Sequence, residues 1–294
     1  MLILIADKFD NTLPKALSKF GDVTDDKNRL AQADIVLVRS KTKANKEYLD
    51  SATNLKLIIR GGVGLDNIDA VHAHKKGIIV KNTAEASTTA VAELAFALMI
   101  ALPNHIAAAD RSMKEGKWLK TELERTELFG KTLGILGMGR IGTALAVRAR
   151  AFNMRVLAWH PDVFFSDFAE ICGPIEEVLQ VSNFVSMHMP ALPETRGLIN
   201  KKTLAQFKDG AYLINTGRGE CIVEEDVVEA LKSGKLAGFG NDVWASDPPV
   251  NSPLIGAPNC IFTPHTGAST KENMLRIGYV VEGIISEFVA RKLA

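Results

Sequence analysis

The chain has 294 residues, 47% hydrophobic and 23% charged, which is long enough for two domains with sizeable cores. Its 35 basic and 34 acidic residues give a formal net charge of +1. This balance excludes the strong positive charge that is typical of nucleic-acid binders and of proteins attracted to anionic membranes. We therefore expect a small-molecule ligand, with neither a nucleic acid nor a membrane as partner.

The cysteines and the apolar segments indicate a cytoplasmic protein. The three cysteines are odd in number and form no C-x-x-C pair, so a disulfide framework is not expected. The first apolar run stops at Asp7, which is typical of a β-strand rather than a signal peptide. The stretch from Leu94 to Leu102 is too short to span a bilayer. No Cys/His spacing predicts a metal site.

Short apolar runs alternate with helical patterns along the whole chain. Most of the runs are rich in β-branched residues and are continuous rather than alternating, as expected for parallel strands covered on both faces. The predicted class is α/β with doubly wound parallel sheets. The predicted strands are Leu2–Ala6, Ile35–Arg39, Leu57–Arg60, Ile78–Val80, Thr132–Leu136, Arg155–Trp159, Phe184–His188, Ala211–Asn215, Phe239–Val243 and Ile261–Thr263.

A long helix is predicted to connect two α/β domains. Residues 88–110 are rich in Ala and Leu, with only Pro103 interrupting the helical pattern. A second strand–helix series follows, and a last helical stretch over residues 270–292 is expected to return to the first domain. The predicted domains are residues 1–99 with 267–294, and residues 100–266.

A glycine-rich turn between a predicted strand and a predicted helix indicates a dinucleotide site. The G-x-G-x-x-G pattern falls at Gly137, Gly139 and Gly142, and Arg140 and Ile141 begin the helix. In such a turn the glycines permit a tight bend, a close approach to the pyrophosphate and close helix packing. The N-terminus of the helix offers N–H groups to the phosphates. The alternative is a glycine turn without a ligand.

The residue expected to bind the adenosine ribose departs from the usual pattern. About 20 residues after the turn an Asp or Glu commonly binds the ribose hydroxyls of NAD, but His160 stands there. No Arg or Lys follows closely to bind the 2′-phosphate of NADP, and Asp162 could reach the ribose. We predict NAD as the cofactor, with NADP not excluded.

Three loops that follow predicted strands carry an arginine, an acid and a histidine. Arg218, Asp247 and His265 could converge, because ligands of open α/β sheets gather outside the carboxyl ends of the strands. A histidine can take the proton of a substrate hydroxyl, a carboxylate can fix its tautomer, and an arginine can bind a carboxylate. The combination predicts hydride transfer at C2 of a 2-hydroxy acid. Neighbouring residues are expected to bind the cofactor: Thr216, Gly217, Asp242, Gly267 and Ala268.

Each of these three residues has a structural alternative when taken alone. His265 could be a buried histidine with satisfied nitrogens, Arg218 a surface ion-pair partner, and Asp247 a turn former before Pro248. Their combination with the glycine turn favours a catalytic site.

These motifs, in this order, resemble the D-isomer-specific 2-hydroxyacid dehydrogenase family over essentially the whole chain. The resemblance implies a Rossmann domain inserted in a flavodoxin-like substrate domain, and a homodimer. It also implies that Arg218 binds the substrate, that His265 is the acid/base and that Asp247 is its partner. The family usually has Glu at position 247 and Asp at position 160. The shorter Asp247 is expected to alter the contact with His265.

Within the family, the likeness is greatest to members that act on 3-phosphoglycerate at the entry to serine synthesis. The loop with Gly62, Val63 and Gly64 is similar to their substrate loop, whose N–H groups face the carboxylate. Arg39 and Arg60 end two predicted strands, and we expect them to neutralise a substrate phosphate. The alternative is that both are solvated surface charges.

Two other functions remain open on the sequence. The same catalytic residues would serve a reductase of glyoxylate, hydroxypyruvate or another 2-keto acid that uses NADH or NADPH. A dinucleotide-sensing interaction protein is the alternative outside the enzymes. The sequence ends at Ala294, so a C-terminal regulatory domain is not expected.

Overall fold

The computed structural model describes residues 1–293, which form two compact units. The first unit comprises residues 1–88 and those from 268 on, and the second comprises residues 89–267. The chain therefore leaves the first unit and returns to it, which confirms the predicted insertion of one domain in the other. The crossings lie at 88/89 and 267/268, where the sequence predicted 99/100 and 266/267.

Within residues 1–293 both units contain strands and α-helices. The strands are β1 Leu2–Ile5, β2 Asp22–Thr24, β3 Ile35–Val38, β4 Leu57–Arg60, β5 Ile79–Asn82, β6 Thr132–Leu136, β7 Arg155–Trp159, β8 Glu170–Ile171, β9 Phe184–Met187, β10 Ala211–Asn215, β11 Leu236–Asn241 and β12 Cys260–Phe262. The helices are α1 Leu13–Leu17, α2 Lys46–Ser51, α3 Ala70–Lys75, α4 Thr88–Ala101, α5 Ile106–Lys114, α6 Arg140–Ala151, α7 Ile175–Val181, α8 Lys201–Ala205, α9 Glu224–Ser233 and α10 Lys271–Leu293.

The first unit is built on a five-stranded parallel sheet. Its strand order is β2-β1-β3-β4-β5, the flavodoxin-like order. The last helix, α10, covers one face of this sheet through Ile277, Val281 and Ile285, which are spaced at one helical turn and fully buried. A face of β-branched and Leu side chains on the sheet is thereby removed from water.

The second unit is built on a seven-stranded parallel sheet in the order β12-β11-β10-β9-β6-β7-β8. Numbered within the unit, this is the Rossmann order 3-2-1-4-5-6 with one further strand at the β12 edge. Buried residues fill both faces of the sheet, in agreement with the continuous apolar runs of the sequence. The predicted fold class is confirmed.

The predicted connecting helix is two helices, α4 and α5. Pro103 and the left-handed residue His105 (φ 52°) lie in the break between them. Ala92, Ala95 and Met99 of α4 are buried in the core of the second unit, which explains why that unit begins at the start of the helix and not at its end.

The segment Ala84–Ala101 is long and apolar enough to cross a membrane by length and composition, and half of it is buried inside the structure. Its buried residues from Ala92 on pack in the core of the second unit, as in a core helix.

Two short strands were missed by the sequence analysis. β2 and β8 have three and two residues, and each lies at one edge of its sheet with partly exposed side chains. Neither contains a continuous apolar run, so the pattern that predicts covered parallel strands is missing. β11 begins at Leu236, three residues before its predicted start, because two glycines interrupt its apolar pattern.

Candidate active site

The glycine turn follows β6 and adopts the geometry that its sequence predicts. Gly137 has a φ of 101°, which favours glycine, and its N–H donates to the carbonyl of Trp159 at the end of β7 (2.9 Å). A Cβ on Gly137 would lie 2.8 Å from the carbonyl oxygen of His188. The turn is therefore pressed against two neighbouring strands of the sheet.

The other two glycines differ in what surrounds them. A Cβ on Gly142 would collide with the carbonyl oxygen of Gly137 in the preceding turn, so this glycine permits close packing of α6. A Cβ on Gly139 would meet no protein atom within 4 Å. Open space beside Gly139, at the N-terminus of a twelve-residue helix, fits the approach of a pyrophosphate. Arg140 and Ile141 occupy the first turn of α6, as predicted.

Arg218 lies in a turn that a buried asparagine holds. Asn215 ends β10 and is fully buried. Its Oδ1 accepts from the N–H of Gly217 (3.1 Å) and its Nδ2 donates to the carbonyl of Arg218 (3.0 Å). The first of these bonds is an Asx-turn, which fixes the chain between Asn215 and Gly217. Nη1 of Arg218 donates to the carbonyl of Gly217 (2.7 Å).

The loop that carries His265 is held by the buried carboxylate of Asp242. Oδ1 of Asp242 accepts from the hydroxyl of Thr263 (2.6 Å) and from the N–H of Thr266 (2.8 Å). Its Oδ2 accepts from the N–H of Gly267 (2.9 Å), and its carbonyl accepts from the N–H of His265 (2.9 Å). These bonds stabilise His265 in the left-handed conformation, with φ 54°.

The imidazole of His265 pairs with the carboxylate of Asp247. Nδ1 of the ring and Oδ2 of Asp247 are hydrogen-bonded. Both side chains keep access to solvent, with 39% and 47% of their surface exposed. The shorter acid therefore reaches the histidine.

This pairing fixes what the imidazole can do. An ionised carboxylate only accepts hydrogen bonds, so Nδ1 carries the proton of the neutral ring and Nε2 presents a lone pair. Nε2 can take the proton of a hydroxyl group, and the carboxylate then stabilises the imidazolium that forms.

The three predicted catalytic residues follow three adjacent strands. Arg218 comes after β10, Asp247 after β11 and His265 after β12, and Asn215, Asn241 and Phe262 pair in register near the ends of these strands. Two strand spacings amount to about 10 Å, so the three loops leave the sheet side by side. Three of the predicted cofactor residues lie beside these loops. Thr216 is buried, with 6% of its surface exposed. Gly267 is the last residue of the second unit, and Ala268 is the first residue after the chain returns to the first unit.

His188 directly follows β9 and is hydrogen-bonded on both ring nitrogens. Nε2 of His188 is hydrogen-bonded to Oγ of Ser186 (2.9 Å), and its Nδ1 lies 3.4 Å from Oγ1 of Thr216. Burial lowers the pKa of His188 to about 3, so the ring is neutral. It supports the strand ends beneath the glycine turn.

In the first unit, Arg39 and Arg60 lie at the carboxyl ends of neighbouring strands. Val38 of β3 pairs with Arg60 of β4, and Arg39 is the next residue. Nε of Arg39 is buried without a hydrogen-bond partner among residues 1–293. Burial lowers the pKa of Arg39, and the charge of Asp7 opposes this shift.

The segment after β3 is held by Asp7, which the sequence analysis did not identify. Its carboxylate accepts from the N–H of Arg39 (2.6 Å) and from the N–H and hydroxyl of Thr42 (3.1 and 2.8 Å). Nδ2 of Asn67 donates to the carbonyls of the same two residues. The position of Asp7 directly after the first predicted strand was the one sequence feature that could have indicated its role. Its hydrogen-bond partners lie more than 30 residues away in the chain, so the sequence does not show them.

The loop after β4 offers fewer backbone donors than the sequence predicted. The N–H of Gly62 is already bound to Oγ1 of Thr83 (2.8 Å). Within residues 1–293, the N–H groups of Val63 and Gly64 have no partner and remain for an anion. Gly62 has a φ of 146° and leaves the space that the guanidinium of Arg60 occupies.

The Rossmann sheet, the open glycine turn and the histidine–carboxylate pair define a dehydrogenase that binds a nicotinamide dinucleotide. Residues 96–267 match the model of a known domain, described as "D-isomer specific 2-hydroxyacid dehydrogenase, NAD binding domain". The chain belongs to this family and is an NAD-dependent oxidoreductase.

Relatives of the chain fall in two groups by length. It is 43% identical to the hydroxypyruvate reductase of Thermotoga maritima, over 88% of this chain and 86% of the relative. It is 38% identical to the D-3-phosphoglycerate dehydrogenase of Methanocaldococcus jannaschii, over 99% of this chain but 58% of the relative. The chain thus spans little more than half the length of this dehydrogenase.

A solved structure supports the same assignment. The D-lactate dehydrogenase of Aquifex aeolicus, solved with NAD and lactic acid, is similar over 100% of this chain and 96% of its own, with a TM-score of 0.88 and 28% identity.

Proposed function

We propose that the chain interconverts 3-phosphoglycerate and 3-phosphohydroxypyruvate. The observation that carries this proposal is the buried, unpartnered Nε of Arg39 beside Arg60. A buried guanidinium nitrogen without a partner costs free energy, which an anionic ligand would offset. The two guanidinium groups at this end of the sheet suit a phosphate ester, because guanidinium pairs strongly with phosphate oxygens.

In the oxidation, Nε2 of His265 accepts the proton of the C2 hydroxyl group, because Nδ1 is committed to Asp247. Asp247 stabilises the imidazolium while the C2 carbonyl forms. Arg218 binds the substrate carboxylate through paired N–H donors and polarises the forming carbonyl. When bound, the nicotinamide supplies the acceptor for the hydride of C2.

The phosphate of the substrate is bound by Arg39 and Arg60, and the N–H groups of Val63 and Gly64 donate to the substrate carboxylate. Asp7 serves this site indirectly, since it fixes the backbone from Arg39 to Thr42. Planar guanidinium groups bind phosphate oxygens in pairs, which a single lysine would not do.

The second candidate is reduction of hydroxypyruvate, which lacks the phosphate but undergoes the same chemistry at C2. It is favoured by the similarity to the hydroxypyruvate reductase of Thermotoga maritima, which extends over most of both chains. The two candidates therefore differ at Arg39 and Arg60 and not at His265.

The test is the ratio of kcat/KM for 3-phosphohydroxypyruvate to that for hydroxypyruvate, measured with NADH. We expect the ratio to exceed 100 in the unmodified protein. Arg39→Ala removes charge-assisted hydrogen bonds of about 1.5–3 kcal/mol each, so we expect it to lower kcat/KM for the phosphorylated substrate about 100-fold. The value for hydroxypyruvate should stay within threefold.

Arg29→Ala is the matched control. Arg29 is a half-buried arginine of the same unit that precedes β3, and its Nε donates to Gln32 (3.2 Å). Its replacement should change neither value. A preference for hydroxypyruvate that Arg39→Ala leaves unaltered would refute the phosphorylated substrate and support the second candidate.

A further inference from the structure

His160 stands beside the glycine turn at the end of β7. Leu136 of β6 pairs with Trp159, and the N–H of Gly137 donates to the carbonyl of Trp159 (2.9 Å). His160 is the next residue and is half-buried. In Rossmann folds this strand end faces the ribose of the adenosine, and an acid there binds the ribose hydroxyls of NAD.

The hydrogen bonding of His160 leaves it one donor and no acceptor. Its Nδ1 accepts from the backbone N–H of Asp162 (3.0 Å). The neutral ring must therefore carry its proton on Nε2. A carboxylate at this place would accept bonds from two hydroxyl groups, whereas Nε2–H of His160 can only donate to an oxygen.

A ribose hydroxyl and a 2′-phosphate both present an oxygen that can accept this bond. We propose that His160 forms a ribose subsite that admits a 2′-phosphate, so that the chain binds NADH and NADPH with dissociation constants within tenfold of each other. The repulsion by which a carboxylate excludes the phosphate is missing at position 160.

The segment after β7 also lacks the cations that would make the subsite specific for NADP. The sequence from His160 to Pro174 contains neither Arg nor Lys. Arg155, at the start of β7, pairs with Glu170 (2.8 Å). Arg150 lies in the last turn of α6 and donates to the carbonyl of Asp167. Its backbone is about 15 Å along the helix axis from the first turn of α6. The segment after β7 thus provides a strong preference for neither cofactor.

This inference requires that the chain binds a dinucleotide, but it is independent of the substrate. The test is therefore a binding measurement without substrate. Isothermal titration with NADH and NADPH gives the two dissociation constants. Titration with AMP and adenosine 2′,5′-bisphosphate isolates the adenosine half. We expect ratios below ten for both pairs, and a ratio above 100 in favour of NADH would overturn the proposal.

Substitutions at position 160 test the role of the side chain. His160→Asp should raise the dissociation constant of NADPH at least thirtyfold and leave that of NADH unchanged or lower. His160→Gln keeps an N–H donor, so both constants should stay within fivefold. Circular dichroism and thermal melting establish that each variant is folded. Unchanged cofactor ratios in a folded His160→Asp variant would contradict the proposal.

Asp162 provides the discriminating control. Its carboxylate is exposed and makes no hydrogen bond within residues 1–293, whereas its backbone N–H binds His160. Asp162→Asn should leave the ratio of the two constants unaltered. If this variant instead weakens NADH and strengthens NADPH by tenfold or more, Asp162 is the ribose acceptor and the assignment to His160 fails.

Discussion

Nδ1 of His265 donates a hydrogen bond to Oδ2 of Asp247, a residue 18 positions earlier in the chain. The two side chains come from the loops after β12 and β11, which are neighbours in the sheet. The bond determines the tautomer of the imidazole and directs the lone pair of Nε2 away from the acid. The chemistry at C2 depends on this pair.

Replacement of Asp247 by Asn should therefore impair the reaction more than it impairs binding. The amide removes the negative charge that stabilises the imidazolium, and it can present an N–H group to Nδ1, which favours the wrong tautomer. We expect kcat to fall by at least about 100-fold. Steady-state kinetics measures this, and Asp247→Glu, which keeps the charge, should stay within tenfold. A fully active Asp247→Asn variant would show that the acid has no part in the reaction.

Two glycines of the turn should respond differently to alanine. Gly139 has an ordinary φ of −83° and free space around its Cβ position, so Gly139→Ala should leave the melting temperature nearly unchanged. The new methyl group would occupy space beside the helix N-terminus, and we expect the dissociation constant of NADH to rise at least tenfold.

Gly142→Ala provides the contrast, because its Cβ would collide with the backbone of the turn. This variant should lose stability by about 1–3 kcal/mol, measured by urea unfolding. Equal NADH affinity in the unmodified protein and in Gly139→Ala would refute the placement of the pyrophosphate.

His188 should make the protein less stable in acid. Its pKa is lowered from 6.5 to about 3 in the folded chain, so below pH 6.5 the unfolded chain binds a proton that the folded chain does not. The free energy of unfolding then falls with falling pH, by up to about 1.4 kcal/mol per pH unit. This loss is absent above pH 6.5 and complete near pH 3.

The measurement is urea unfolding of the unmodified protein and of His188→Gln at pH 7 and pH 4.5. Gln keeps a polar group near Ser186 but does not titrate. The difference in unfolding free energy between the two proteins should shift by about 2–3 kcal/mol in favour of the variant at the lower pH. A difference that is independent of pH would mean that His188 is accessible to protons in the folded state.

Much of the fold could be predicted from the sequence because its central strands are covered on both faces. β6, β7 and β10 begin and end at the predicted residues. β2 and β8 were missed because short, partly exposed strands depend on pairing with a neighbour and not on a local apolar pattern. The predicted first boundary between the units, at 99/100, lies eleven residues after the observed one at 88/89. The composition of α4 does not indicate which of the two units it packs against.

The candidate site could be predicted less completely. Arg218, Asp247 and His265 were identified because each follows an apolar strand in a motif with recognisable chemistry. Asp7 and the role of Asp242 in holding the His265 loop were not predicted, since their partners lie 21 to 35 residues away in the chain. The role of Asn215 could have been predicted locally, because an Asn two residues before a Gly is typical of an Asx-turn.

His265 is the proton acceptor on which hydride transfer at C2 depends, and His265→Asn tests this role directly. Asn adopts the left-handed backbone of position 265 (φ 54°) with little strain, so the loop should keep its shape. With the better of the two keto acids and NADH, kcat should fall by about 1000-fold while the dissociation constant of NADH stays within threefold. A folded variant that keeps kcat within tenfold of the unmodified protein would contradict the account.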